Sequence, residues 1–234
     1  MQLKTLVAAI PIRHVIGTLD RTVESIAYDS RRVQRNGLFV ALRGETSDGH
    51  EFIGQAIEKG ASVIATERDE QHSRVTCLLV ENTRNALADL SANFYGHPAR
   101  KLRLAAVTGT NGKTTTTFLI KHICEKAGLR CGLIGTVRYE IGERILPAIR
   151  TTPESLDLQE LLAQIVNASC RAAAMEVSSH ARPRMERGCL YQSHAGPSRF
   201  SRDDGELLRF QGEAFRTAWQ PTEKAEAGRD CEYR

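Results

Sequence analysis

Short apolar runs alternate with amphipathic segments over the first part of the chain. The runs have the length of buried strands, and the amphipathic segments repeat apolar residues three and four positions apart, as helices do. Gly60 and Gly96 follow the two amphipathic segments and are typical helix stop signals. The predicted strands are 37–42, 61–65 and 77–80, and the predicted helices are 51–59 and 82–95. This alternation indicates a small α/β domain over residues 1–98.

A second alternation begins after a linker at 96–101. A buried run at 102–107 leads through a glycine-containing loop into a predicted helix at 115–127. The further predicted elements are a strand at 131–137, a helix at 154–166 and a strand at 172–177. Strands alternating with helices form a layered parallel sheet, so we predict a second α/β domain over residues 99–182. We expect its last strand to lie at an open edge of the sheet.

The end of the chain differs in composition. Residues 1–182 contain 26 Ile and Val residues, and residues 183–234 contain none. β-branched aliphatic residues build strands and cores, so their absence predicts a disordered tail without strands. The predicted fold class is therefore α/β, with a small N-terminal α/β domain, the truncated first half of a parallel-sheet phosphate-loop ATPase domain, and a tail.

The overall composition is that of a globular protein, with 41% hydrophobic and 26% charged residues among 234. The net charge of +4 is small and scattered, which argues against a nucleic-acid partner. No apolar run reaches the roughly 18 residues of a membrane span, and the apolar start lacks a clear signal-peptide cleavage site. The six cysteines form no C-x-x-C pair, so we expect reduced thiols in the cytoplasm.

The loop between the strand at 102–107 and its helix carries the clearest chemistry. Backbone N–H groups and the helix dipole at such a position bind phosphate, and the two loop glycines allow a close approach. Lys113 would contact the β- and γ-phosphates, and the hydroxyl of Thr114 or Thr115 would ligate Mg²⁺. Two residues separate the glycines, whereas the commonest phosphate loop has four, which disfavours kinases and GTPases. The predicted ATP-binding residues are Gly109, Thr110, Asn111, Gly112, Lys113, Thr114 and Thr115.

This loop, read from Thr108 as Thr-Gly-Thr-Asn-Gly-Lys-Thr-Thr, resembles that of the Mur ligase family, ATP-dependent enzymes that add amino acids to the peptidoglycan precursor. Further segments extend the resemblance over residues 20 to about 182. They are Tyr28-Asp-Ser-Arg-Arg-Val33 with Gly37-Leu-Phe-Val-Ala-Leu42, Asp48-Gly-His-Glu-Phe52, Arg150-Thr-Thr-Pro153 and Met175-Glu-Val-Ser-Ser-His-Ala181. Together they are similar to the ligases that add diaminopimelate or lysine to UDP-N-acetylmuramoyl-L-alanyl-D-glutamate.

The resemblance implies a role for each matching residue. Ser30 and Thr46 would bind the uridine end of the substrate. The muramoyl-peptide part would be bound by Thr151, Thr152 and Ser178. The Mg²⁺ residues would be Thr114, Glu176 and His180, and the catalytic residues Lys113 and Glu176. The substrate carboxylate would attack the γ-phosphate to give an acyl phosphate, and the amino acid would then displace phosphate. The implied protein is a cytoplasmic monomer with ATP and Mg²⁺ as cofactors.

The residues themselves leave several alternatives open. Ser30 could be a turn residue, Thr151–Thr152 a helix N-cap, and His180 a loop cap. Glu176 is the stronger candidate, because a carboxylate at the carboxyl end of a parallel strand, beside a phosphate loop, is positioned for a metal ion.

The resemblance ends near Ala181. The family's carbamoylated lysine and the C-terminal domain for the incoming amino acid are not recognisable beyond it. Residues 190–211, back-translated with freely chosen codons and read one nucleotide later, can spell the family's next segment. We therefore interpret residues 183–234 as a frameshift product and expect no ligation by the chain as written. The alternative to a ligase is a catalytically dead remnant that binds only nucleotide.

Overall fold

The computed structural model describes residues 1–44, 47–70, 72–148 and 153–177, and the backbone of Cys189–Gln192. Predictions for five site residues lie outside the described residues. These are Thr46, Thr151, Thr152, Ser178 and His180. The predicted disorder of the tail also lies outside them, apart from Cys189–Gln192. Within the described residues, no helix combines the length and apolarity needed to cross a membrane.

The N-terminal domain is a five-stranded sheet with helices on both faces. Its helices are α1 (Leu3–Leu6), α2 (Ile53–Glu58) and α3 (Thr83–Phe94), and its strands are β1 (Ile12–Ile16), β2 (Ser25–Ala27), β3 (Gly37–Val40), β4 (Ala61–Thr66) and β5 (Thr76–Val80). Short 3-10 helices form at Ser30–Arg32, Gly49–Phe52 and Pro98–Lys101. The strand order is β1-β5-β4-β3-β2, in which β1 is antiparallel to β5 and the other pairs are parallel.

Alternating side chains of the central strands feed two separate cores. Leu38 and Val40 of β3 pack with α1 and α3, whereas Phe39 packs on the opposite face with α2. All four residues of β3 are buried, as a strand covered on both faces requires. α3 begins where its sequence predicts, because the Asn82 side chain accepts a hydrogen bond of 2.8 Å from the Asn85 backbone N–H.

The central domain contains a six-stranded sheet. Its strands are β6 (Arg103–Thr108), β7 (Cys131–Ile134), β8 (Arg138–Ile141), β9 (Arg144–Pro147), β10 (Ala172–Glu176) and β11 (Cys189–Gln192), and its helices are α4 (Lys113–Lys126) and α5 (Ser155–Asn167). The strand order is β11-β6-β10-β7-β8-β9. α4 packs on one face, beside Leu133 and Ala174, and α5 packs on the other, beside Ile134 and Met175. The predicted α/β architecture is thus confirmed.

Two predictions about the sheet are wrong. β10 does not lie at an open edge, because it pairs in parallel with β6 on one side and β7 on the other. The tail is not free of strands, because Cys189–Gln192 pairs in parallel with the outer side of β6. An exposed strand edge offers unpaired backbone groups to any extended segment, so this pairing does not depend on β-branched side chains.

Candidate nucleotide-binding site

The loop at Gly109–Thr115 connects β6 to α4. Gly109 and Gly112 both have positive φ angles, of 144° and 78°, which non-glycine residues rarely adopt. Gly112 is the N-cap of α4, so Lys113 is the first residue of the helix. The first-turn N–H groups of α4 therefore lie at the carboxyl end of β6, which is the arrangement that binds phosphate.

The Lys113 ammonium group lies over this loop. Its Nζ donates hydrogen bonds to the carbonyl oxygens of Gly109, at 2.8 Å, and Thr110, at 3.3 Å. The positive charge is thereby held beside the backbone N–H groups that would contact a phosphate. A bound phosphate would replace the two carbonyl oxygens as the partner of this charge.

Glu176, the last residue of β10, is 1% exposed and reaches the first turn of α4. Its Oε2 accepts a hydrogen bond of 3.0 Å from the Thr114 hydroxyl. Among the described residues, its donors are hydroxyl and backbone N–H groups rather than a basic side chain. A buried carboxylate is costly without a counter-charge, so this position is suited to a cation. The structure brings Thr114 and Glu176 into contact, and Lys113 is the residue before Thr114 in the first turn of α4.

Thr136 completes this cluster and was missed from the sequence. Its backbone N–H donates to Glu176 Oε1 at 3.1 Å, and its hydroxyl lies 3.2 Å from both carboxylate oxygens. The hydroxyl groups of Thr114 and Thr136 are 3.4 Å apart. Thr136 follows the end of β7, the neighbour of β10, so the rule that selected Glu176 could have found it.

Gly135 allows the approach of Thr136 to Glu176. A Cβ atom at Gly135 would lie 2.9 Å from Glu176 Oε1, closer than such contacts normally allow. A larger residue would therefore require the end of the Glu176 side chain to shift.

An ion network fixes α4 to the strand that follows Thr136. Lys121 contacts Glu125 and lies 3.2 Å from Glu140 Oε2, and Arg138 Nε donates to Glu140 Oε1 at 2.7 Å. Burial opposes the charge of Lys121, but its hydrogen bonds to the two glutamates outweigh burial and raise its pKa. The turn that carries Thr136 is thereby tied to the helix that carries Thr114.

Ser30 lies in a separate cleft of about 510 Å³ in the N-terminal domain. It is 6% exposed, and its hydroxyl donates a hydrogen bond of 2.5 Å to Gln55 Oε1, which also lines the cleft. Asp29 accepts a hydrogen bond from the Arg31 N–H at 2.9 Å and so caps the 3-10 helix at Ser30–Arg32. Ser30 is thus a turn residue and also part of a cleft wall, so the two sequence interpretations are compatible.

Residues of the central domain complete this cleft. Glu154, the N-cap of α5, lines it together with Arg84, and their side chains form an ion pair of 2.5 Å. Tyr28 also lines it, and its hydroxyl donates a hydrogen bond of 2.6 Å to Asp157 in the first turn of α5. Leu156, which lies between Glu154 and Asp157 in the sequence, is buried in the N-terminal core beside α1 and α3. The cleft wall therefore continues into the segment that directly follows Thr151–Thr152 in the sequence.

The Asp48-Gly-His segment contributes Gly49 to the lining of this cleft. His50 has a buried side chain, its Nδ1 lies 2.5 Å from Asp48 Oδ1, and its Nε2 accepts a hydrogen bond of 3.1 Å from the Glu67 N–H. Hydrogen bonds from the backbone and side chain of His50 lower the pKa of Asp48 to about 2, and Arg68 contributes to the same effect. This segment is structural and holds the turn beside Ser47 and Gly49, both of which line the cleft.

The chain matches two models of one protein family. Residues 22–95 match "Mur ligase family, catalytic domain", and residues 107–194 match "Mur ligase middle domain". The second match runs beyond the predicted boundary at residue 182.

Curated relatives match over the same region. The chain is 45% identical over 184 residues to a UDP-N-acetylmuramoyl-L-alanyl-D-glutamate–2,6-diaminopimelate ligase of Clostridium tetani. It is 46% identical over 182 residues to the protein of that name in Syntrophomonas wolfei. Each match covers 77% of this chain but only 38% and 37% of the relative. A solved structure of a ligase of that name shares the fold, with a TM-score of 0.64, 20% identity, and coverage of 92% of this chain and 44% of that one.

Proposed function

Since the chain belongs to the Mur ligase family, we propose that it provides the ATP-binding loop and the UDP-substrate cleft of a peptidoglycan ligase. The proposed reaction joins diaminopimelate or lysine to UDP-N-acetylmuramoyl-L-alanyl-D-glutamate through an acyl phosphate, in the cytoplasm and by a monomer. The relatives' names specify diaminopimelate, which favours it over lysine. The chain spans about 38% of the length of these relatives, so the activity of the whole enzyme is part of the proposal.

The observation that carries the proposal is the convergence of the phosphate loop and a buried carboxylate. Glu176, Thr114 and Thr136 present carboxylate and hydroxyl oxygens, which are the hard ligands that Mg²⁺ prefers. The described residues contain no group of three or more His, Cys, Asp or Glu side chains that could hold a metal ion by themselves. The donor set therefore fits a Mg²⁺ ion that is shared with the phosphates of ATP rather than one held by a protein cage.

The chain's own residues would act by holding charge and geometry. Lys113 would hold the β- and γ-phosphates, and the loop N–H groups would orient them at the start of α4. Thr114 and Glu176 would hold Mg²⁺, which when bound neutralises the charge of the phosphates. Positioning of the substrate carboxylate against the γ-phosphate supplies a large share of the rate in such reactions.

The cleft around Ser30 is proposed to bind the uridine diphosphate end of the substrate. Its polar lining includes Ser30, Gln55 and the guanidinium groups of Arg31 and Arg84, which suit hydroxyl groups and phosphates. Glu154 lies on the same cleft, two residues after Thr152. A substrate bound by its nucleotide end at Ser30 would extend along this wall to Glu154.

Calorimetric titration of the chain with Mg·ATP, and separately with the UDP-muramoyl dipeptide, tests the proposal. Phosphate release is then measured with both substrates and either amino acid. Binding of both ligands supports the proposal, and absence of both overturns it. Amino-acid-dependent turnover would show a complete ligase. Binding of ATP without turnover, which we expect from the sequence, supports the alternative that this chain binds only nucleotide.

A further inference from the structure

Two cysteines share one small core at the last turn of α4. Cys124 of α4 is partly buried and packs on a small core that contains Cys131, the first residue of β7. The Leu129 N–H donates a hydrogen bond of 2.9 Å to the Cys124 carbonyl oxygen, so the chain turns back directly after the helix. This turn brings β7 under the helix that precedes it. The pair lies about 16 Å along α4 from Lys113, by the helical rise of about 1.5 Å per residue.

The two thiols have different environments. Cys124 has intermediate exposure, whereas Cys131 is 2% exposed. The Cys131 thiol has two acceptors in reach, the Gly132 carbonyl oxygen at 3.4 Å and the sulfur of Cys124. Cys124 is therefore the more accessible of the two cysteines to a reagent in solution, and Cys131 is shielded from it.

The charges around the pair favour a thiolate on Cys124. The hydrogen bond from Cys131 lowers the pKa of Cys124 to about 7, burial acts in the opposite direction, the Arg103 guanidinium lowers it further and the Glu125 carboxylate raises it. The same hydrogen bond, together with burial, raises the pKa of Cys131, and Lys121 opposes this only in part. Cys124 therefore has the features of a reactive cysteine and Cys131 those of a resolving partner.

We propose that Cys124 and Cys131 form an oxidisable dithiol site whose co-reactant is hydrogen peroxide or a small organic hydroperoxide. The Cys124 thiolate attacks the peroxide oxygen, the O–O bond breaks, and a sulfenic acid and hydroxide form. The Cys131 sulfur then attacks the Cys124 sulfur, the S–O bond breaks, and a disulfide and water form. The proton that Cys124 loses on ionisation neutralises the hydroxide of the first step, or the alkoxide when the co-reactant is an organic hydroperoxide. Two thiols are thus oxidised, and hydrogen peroxide is reduced to two waters, whereas an organic hydroperoxide gives one alcohol and one water.

The rate advantage of Cys124 is modest near neutral pH. With a pKa of about 7, half of Cys124 is thiolate at pH 7, against about 1% for an ordinary cysteine at 9.0. Nucleophilicity falls as the pKa falls, with a Brønsted coefficient of about 0.4–0.5, which removes most of this gain. We expect Cys124 to react about fivefold faster than an ordinary exposed cysteine at pH 7, and the advantage to disappear at about pH 8 and to reverse at higher pH.

Peptide mapping of the full chain tests the proposal directly. The reduced protein is treated with one equivalent of hydrogen peroxide, free thiols are alkylated, and trypsin is added without reductant. Trypsin releases Cys124 in the peptide His122–Lys126 and Cys131 in Cys131–Arg138. We expect these two peptides joined, with the loss of two hydrogens, as the main oxidised product. Recovery of Cys124 joined to another cysteine, or over-oxidised with Cys131 still reduced, would overturn the proposal.

Three variants separate the two roles. Cys131→Ser should leave Cys124 as a sulfenic acid that dimedone traps, and Cys124→Ser should leave Cys131 reduced. Cys170→Ser is the matched control, because Cys170 is a buried cysteine of the same domain at 3% exposure, and it should not change the linked product. Oxidation of Cys131 in Cys124→Ser at the wild-type rate would contradict the assigned order. The wild-type map decides the existence of the site even if a variant fails to fold.

Discussion

The hydroxyl of Thr114 donates a hydrogen bond of 3.0 Å to the carboxylate of Glu176, across 62 residues of chain. This contact joins the N-terminal turn of α4 to the carboxyl end of β10. A strand end and a helix start meet here because the two elements belong to neighbouring parallel units of one sheet. The loop at Gly109–Thr115 and the Glu176 carboxylate thus meet at one corner of the domain.

Replacement of Lys113 by alanine should abolish measurable Mg·ATP binding. The substitution removes the ammonium charge that lies over the loop, and a hydrogen bond to a charged group contributes about 1.5–3 kcal/mol, or roughly 10–150-fold in affinity. Calorimetry at fixed Mg²⁺ measures the change. Lys126→Ala, in the last turn of the same helix, is the matched control and should bind like the wild type. Equal affinity of wild type and Lys113→Ala would contradict the loop assignment.

Replacement of Thr136 by valine should weaken Mg²⁺ binding about tenfold or more. The variant keeps the shape and the backbone N–H but loses the hydroxyl that faces both oxygens of Glu176, an interaction of about 1.5–3 kcal/mol. A Mg²⁺ titration followed by thermal unfolding, with ATP present, gives the midpoint. Thr136→Ser should restore it, because serine keeps the hydroxyl. A valine variant with the wild-type midpoint would show that the Thr136 hydroxyl does not contribute to Mg²⁺ binding.

Acid sensitivity should depend on Asp48. Its pKa is lowered in the folded state to about 2, from 3.8, so its stabilising contribution is present above pH 3.8 and is lost as the pH falls toward 2. Asp48→Asn should therefore be less stable than the wild type at pH 7, with the difference shrinking between pH 4 and pH 2. Urea unfolding across this range measures it. Asp20→Asn, at an exposed position, is the control, and its free energy of unfolding should depend on pH as that of the wild type does.

Residues 1–98 should fold without the rest of the chain. Two cores enclose the five-stranded sheet, and their helices belong to the same segment. The fragment loses Leu156, which fills part of the first core, so it should be less stable by about 1.5–3 kcal/mol. Circular dichroism during urea unfolding measures this. Leu87→Ala, at a fully buried position, should lower the midpoint further. A random-coil spectrum of the fragment would contradict the domain boundary.

Periodicity and capping signals located most of the elements. The predicted helix at 82–95 and the observed Thr83–Phe94 agree because Asn82 is a strong N-cap and Gly96 ends the pattern. The hairpin of β8 and β9 was missed, although Gly142, with a φ angle of 62°, marks its turn. β1 was missed because Arg13 and His14 interrupt its apolar run, and the structure shows an irregular pairing at this point.

Strand order could not be read from the sequence. Hydrophobic periodicity identifies a buried strand, but it does not say which neighbours bury it, so β10 was placed at an edge. The loop residues and Glu176 could be predicted from the sequence, because their chemistry depends on a local position at the end of a strand. Thr136 carries the same local signal, whereas the contribution of Arg84 and Glu154 to the Ser30 cleft depends on how two distant segments pack.

The central position of β10 has a consequence for synthesis of the chain. During synthesis, β6 and α4 leave the ribosome first, and the antiparallel strands β7, β8 and β9 follow. β10, the strand that joins these two halves of the sheet, emerges after both. Until then, the inner edges of β6 and β7 have no partner in the parallel sheet, while the N-terminal domain already has all of its strands. The arrival of β10 joins the two halves of the sheet and supplies the Glu176 carboxylate in the same step, so in a nascent chain Thr114 and Thr136 have no carboxylate partner before the halves are joined.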